Sequence, residues 1–218
     1  NDYDLSSVLS QSDIAAYILD GAPKIPVALG AARDAFYLDH PDLFYVDVYK
    51  LCLTVGMQGD EYVAFLGRGR ADNYYNDNTV KSAAETQAAI VKYDAAINAV
   101  VDAARADSSN VVEQIKFVNK QLSETIEYSY GAYEDKHNGI TYNGYVGTAY
   151  SIVEKEALCG GYSSAFKAVM DRLDIPCVLI PGSAFSGKTV TDSVTGEELQ
   201  PGYEAHMWNA VEIDGLWY

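Results

Sequence analysis

Residues 159 to 180, "CGGYSSAFKAVMDRLDIPCVLI", restrict the possible folds more than any other stretch of the chain. Tyr162, Phe166, Val169 and Leu173 fall at i, i+4, i+7 and i+11, one apolar stripe of a helix, and Ala165 and Ala168 allow close packing. Asp174-Ile175-Pro176 ends that helix, because proline lacks the N–H a further turn needs. Cys177 to Ile180 then reads as a buried strand. Further on, in "HMWNAVEIDGLWY", His206, Trp208, Ala210 and Glu212 alternate with Met207, Asn209, Val211 and Ile213. That period of two predicts a strand, and Asp214-Gly215 predicts a tight hairpin turn.

The rest of the chain is read more coarsely. Ser12 is placed to cap a helix through Leu19, and a second helix is expected from Val27 to Leu38, stopped by His40-Pro41. Phe44 to Met57 reads as a strand, with Tyr62 to Leu66 as its partner. The Ala-rich stretch Thr79 to Ala106 reads as one long helix. Ser109 or Asn110 caps the next, where Val112, Ile115, Val118, Leu122 and Ile126 recur at helical spacing. A Gly/Tyr/Asn-rich connection is expected from Tyr128 to Gly147. A boundary near residue 75 would divide a mixed α/β N-terminal region, 1–75, from a larger rear domain, 76–218.

Acids outnumber bases 31 to 15, for a formal net charge of −16, which argues against nucleic acid as a partner. No apolar run approaches the roughly 18 residues of a membrane-spanning helix. Three cysteines, Cys52, Cys159 and Cys177, are too few for a disulfide scaffold, and a Cys52–Cys177 bridge is left open.

Cys159 falls where its helix begins, among unpaired N–H groups and at the positive end of the helix dipole. Both favour a thiolate, the nucleophilic form of cysteine. Gly160 and Gly161 keep side chains away from the sulfur, and backbone N–H groups at a helix start can hold an oxyanion. Alone, Cys159 reads equally well as a small core residue. A later strand carrying His206, with Trp208 two residues on, supplies the base that cysteine nucleophiles need.

Together, Cys159-Gly160-Gly161-Tyr162, Phe166, Ile175-Pro176, His206-x-Trp208-Asn209 and Gly215-x-Trp217 resemble the transglutaminase-like superfamily in its bacterial branch, over about Val112 to Tyr218. The resemblance implies an α+β fold with a papain-like core, its nucleophile at a helix N-terminus packed on an antiparallel sheet that carries the His. It implies Cys159 as nucleophile and His206 as general base and acid. Gly160, Tyr150 and Trp208 become candidates for oxyanion or substrate contact, with Tyr145 and Asn143 as further upstream donors. The implied activity is acyl transfer on peptide or protein amides through a thioester, with hydrolysis favoured over cross-linking because water is always present as acceptor. The alternative is an inactive binding or scaffold module. A peptide or protein partner, cell-wall peptide included, and a place outside or on the surface of a Gram-positive bacterium are implied, with no cofactor or metal. The family's third residue is an Asp about fifteen positions after the His. Tyr218 stands twelve after His206, so the chain is expected to be cut, with an Asp following. Asn209 should face the other side of its strand and Asp214 forms a turn, so neither replaces it.

Gly182-x-x-x-x-Gly187-Lys188-Thr189 matches the phosphate-loop pattern. Such a loop must lead into a helix, whereas "TVTDSVTGEELQPGYE" follows, β-branched and broken by Gly196, Pro201 and Gly202. The match is read as chance, and residues 182–203 as a loop leading to the His strand. Arg68 and Arg70 read as solvated or paired rather than as a binding patch, and His40 and His137 lack metal-ligand spacing.

Overall fold

The computed structural model describes residues 3–4, 10–20, 24–46, 51–68, 82–140, 143–185, 190–191, 198–199 and 203–218. It divides into two units, Asn1–Thr86 and Gln87–Tyr218. The boundary expected near residue 75 lies outside the described residues.

The first unit contains strand β1 (Tyr3–Asp4), helices α1 (Gln11–Asp20) and α2 (Lys24–Asp39), and strands β2 (Leu51–Gln58) and β3 (Glu61–Arg68). Strands β2 and β3 form an antiparallel hairpin, and β1 adds to its β3 edge. Ser10, rather than Ser12, caps α1: its hydroxyl accepts from the Asp13 N–H at 3.2 Å. Ser12 lies inside the helix, where a hydroxyl cannot reach the first orphan amides. Ile14 and Ala64 form a fully buried contact, with Val55, Tyr17 and Tyr62 packed around it. Of the strand expected from Phe44 to Met57, the described residues show Leu51–Gln58 as strand, while Phe44 is buried at the end of a 3₁₀ turn, Pro41–Leu43.

The second unit holds helix α3 (Ala83–Asp107) from Gln87 on, then helix α4 (Val111–Thr125) and the short strand β4 (Glu127–Tyr128). Asn110, not Ser109, caps α4 by accepting from the Glu113 N–H at 3.1 Å. The connection after β4 holds a helix that the sequence reading missed, α5 (Tyr130–His137). It buries only Ala132, so it carries no apolar stripe to betray it. A 3₁₀ turn (Gly144–Gly147), helix α6 (Ser151–Glu154) and strand β5 (Glu156–Ala157) lead to helix α7 (Cys159–Arg172). Strand β5 pairs in parallel with β4.

Strand β6 (Cys177–Phe185) follows α7, then the strand pair β7 (Val190–Thr191) and β8 (Glu198–Leu199), then β9 (Tyr203–Ile213) and β10 (Leu216–Trp217). The sheet order is β10-β9-β6, all antiparallel, and Asp214 and Gly215 turn the last hairpin with φ of 52° and 79°. Positive φ at both central residues is what such a two-residue turn demands. The architecture is α+β.

Helix α7 is buried more widely than one stripe. Ala165, Ala168, Val169 and Met170 are in the core, but so are Gly161, Ser163, Ser164 and Lys167. Small residues suit a helix surrounded by α4, α6 and the sheet. The buried Lys167 pairs with Asp171 at 2.9 Å, one turn on. At the other end, Arg172 binds Asp94 at 2.6 Å and Asn98 at 2.8 Å on α3, while Arg105 donates to the Arg172 carbonyl at 2.9 Å. A cation at a helix C-terminus opposes the negative end of its dipole.

Candidate active site

Two neighbours set the position of Cys159. Leu158 N–H donates to the Val146 carbonyl at 2.7 Å, and the Tyr162 hydroxyl donates to the Ile126 carbonyl at 2.5 Å. The first turn of α7 is thereby held on the 3₁₀ turn on one side and on the end of α4 on the other. The double glycine has a packing reason. A Cβ on Gly161 would lie 2.2 Å from the Val146 carbonyl oxygen, and one on Gly160 would lie 3.1 Å from that of Gly147. Close approach of two backbones, rather than space for substrate alone, accounts for both glycines.

His206 is fixed by the register of β9 against β6, where it lies opposite Gly182. Trp208 shares its side of the strand, with ring centroids 6.0 Å apart. The indole lies over Gly182, where a Cβ would come within 2.7 Å of it. This gives Gly182 a structural role inside a strand. Gly187, Lys188 and Thr189 lie outside the described residues, and the extended pair β7 and β8 follows them. Asn209 takes the opposite side and donates to the Ser163 carbonyl at 3.0 Å, with Cys177 Sγ at 3.6 Å. Cys177 carries a free, buried thiol, and the side chain of Cys52 lies outside the described residues. Burial, the largest influence, pushes that thiol up to about 11.

Two clefts meet at this point. The larger, about 590 Å³, opens between α4, α7 and β9 and is mostly apolar, lined by Leu122, Tyr162, Phe166, Trp208 and Val211 among others. Tyr162 and Phe166, expected as core, line it instead. The smaller, about 310 Å³, is walled by α5 and the start of β9, with Tyr133, Lys136, His137 and Glu204. Three side chains line both clefts: Tyr128, Cys159 and His206. Cys159 is partly exposed and His206 exposed, so both are open to solvent and solutes.

The upstream donors are placed elsewhere. Tyr150 is buried with its ring 4.1 Å from that of Tyr145, and neither lines these two clefts. Asn143 accepts from the Tyr145 N–H and donates to Glu154, so its amide serves the turn.

The sequence reading missed Tyr128, Tyr133 and Glu204. Burial first, then the neighbouring Cys159 and Glu204, raise the Tyr128 hydroxyl above its ordinary value. Tyr133 donates to Glu204 at 2.5 Å, and that bond is the main reason its hydroxyl is pushed up to about 12. A period of two carried back from His206 reaches Glu204, the one signal that could have found it.

Among the described residues no group of three or more His, Cys, Asp or Glu side chains could hold a metal ion, and no helix is long and apolar enough to cross a membrane. No family model matches the chain, and no curated protein matches its sequence. Among solved structures it is similar to one described as the crystal structure of a TGase, with a TM-score of 0.47 and 12% identity. That similarity covers 78% of this chain and 44% of the other, so the chain spans less than half of its length.

Proposed function

We propose that this protein is a cysteine-dependent acyl-transfer enzyme of the transglutaminase-like, papain-like kind, acting on peptide or protein amides. The observation that carries the reading is the meeting of two clefts at Cys159, His206 and Tyr128. A thiol at a helix start and an imidazole on a strand, at the junction of two solvent-open grooves, suit an acyl group on one side and its leaving group on the other.

The chemistry balances with these two side chains alone. Cys159 Sγ attacks the carbonyl carbon as His206 takes the thiol proton, and the first-turn N–H groups of α7 face the charge that develops on oxygen. His206 returns the proton to the leaving amine as the C–N bond breaks, leaving a thioester. A second acceptor, activated by His206, then attacks the thioester and releases Sγ. Water is the acceptor we favour, because exposed His206 is open to it.

Iodoacetamide near pH 7, with peptide mapping by mass spectrometry, tests the activated nucleophile. Cys159 should react at least about tenfold faster than in the urea-unfolded chain. Cys177, buried and with its thiol raised to about 11, should stay unmodified. A Cys159 rate equal to the unfolded one defeats the proposal. A labelled primary amine added with an acyl donor separates the two outcomes: incorporation marks a transferase, its absence with product release a hydrolase.

A further inference from the structure

Two hydrogen bonds cross directly between α7 and β9. The Ser163 hydroxyl donates to the Met207 carbonyl at 3.1 Å, and the Asn209 amide donates back to the Ser163 carbonyl at 3.0 Å. One buried helix residue thus grips the strand on either side of Trp208. The same Asn209 amide lies 3.6 Å from Cys177 Sγ, which ties in β6 as well.

Ser163 is four residues after Cys159, one turn on along the same face of α7. Met207 follows His206 directly, and Asn209 is three residues beyond it. The clamp therefore stands beside both reacting side chains and touches neither of their reactive atoms. Apolar side chains, such as buried Val169 on α7 and Val211 on β9, would suffice to close a helix–sheet contact. Polar groups are costly to bury there unless bonded. What they add is direction, because a hydrogen bond weakens steeply when its partners slide or tilt. Where a thiol and an imidazole must share a proton, a displacement of about 1 Å can cost about 10²-fold in rate. We infer that Ser163 and Asn209 are positioning residues, a reciprocal clamp that sets the reach of His206 to Cys159. The assignment deepens the acyl-transfer reading above and rests on it.

Two variants and their combination separate positioning from packing. Ser163→Ala removes the bond to Met207. Asn209→Leu keeps the volume, removes the donor and leaves no orphan, since the Ser163 carbonyl lies inside α7 and keeps its helical partner. The charged and titratable groups around His206 are the same in every variant: Tyr128, Lys136, His137 and Glu204 in the smaller cleft, and Lys116, Tyr162 and Tyr218 in the larger. Thermal melting checks each fold, and iodoacetamide with peptide mapping gives the Cys159 rate at pH 6 and pH 9.5. With the clamp as positioning device, each single variant loses about threefold to tenfold at pH 6. Each stays within about twofold of wild type at pH 9.5, where a thiolate forms without an imidazolium partner. Asn209→Leu shows this loss even with a wild-type melting temperature, and the double variant loses less than the product of the two single losses. If packing alone sets the geometry, both variants follow the wild-type rate at pH 6, and the assignment is overturned while Cys159 and His206 keep their roles. Loss by the same factor at both pH values, with Cys177 becoming alkylated, marks a loosened interface and overturns it too. A wild-type Cys159 no faster than an unfolded thiol at either pH overturns both the clamp and the acyl-transfer reading.

Discussion

Replacing His206 with Ala should slow hydrolysis of an activated acyl ester, such as p-nitrophenyl acetate, by about 10² to 10⁴. The size follows from what is removed. His206 is the one imidazole lining both clefts beside Cys159, and it is asked to move a proton in each half of the reaction. A factor of 10² is about 2.7 kcal/mol of barrier. The fold should be untouched, since the His206 side chain is exposed on β9 while the packing of that strand is made by Val211 and Asn209. Thermal melting should therefore coincide with wild type. Ester turnover within about threefold of wild type would remove His206 from the mechanism.

Gly161→Ala should be the most damaging single methyl group in the second unit. Its Cβ would lie 2.2 Å from the Val146 carbonyl oxygen and 3.1 Å from the Cβ atoms of Ala157 and Ser151. The first of these is backbone and already accepts the Leu158 N–H at 2.7 Å, so it cannot retreat without breaking the bond that seats the helix. Overpacking of about 1–3 kcal/mol combines with a lost buried hydrogen bond of about 1–3 kcal/mol. Better helix propensity returns about 1 kcal/mol. The net loss is about 3 kcal/mol, or about 6–12 °C in melting temperature for a chain of this size. Gly160→Ala meets only the Gly147 carbonyl, at 3.1 Å, and should cost less. A Gly161→Ala melting temperature within a degree or two of wild type would mean that the helix is not seated in this way.

Legibility from sequence followed the strength of local patterns. Helix α7 and strand β9 were readable because a 3.6-residue stripe ending at Asp174-Ile175-Pro176 and a clean period of two before Asp214-Gly215 leave little choice. The meaning of the stripe was not readable. Tyr162 and Phe166 look like core by spacing, yet they line a cleft, because the helix is packed on most sides and its small residues carry the core. Helix α5 has no apolar face to read, and its Tyr133 matters only through a partner 71 residues away. Glu204 was hidden by Pro201-Gly202, which made the approach to β9 look like loop. Strand β6 also runs five residues past Ile180, since Gly182 leaves room for the Trp208 ring and lets the pairing continue to Phe185.

The central claim is a covalent one, and intact-protein mass spectrometry after rapid mixing with p-nitrophenyl acetate tests it most directly. The account predicts one acetyl group per chain, mapped to Cys159, decaying as product appears and absent from Cys159→Ala. Acetyl transfer to other residues only, or Cys159→Ala hydrolysing the ester as fast as wild type, would contradict it.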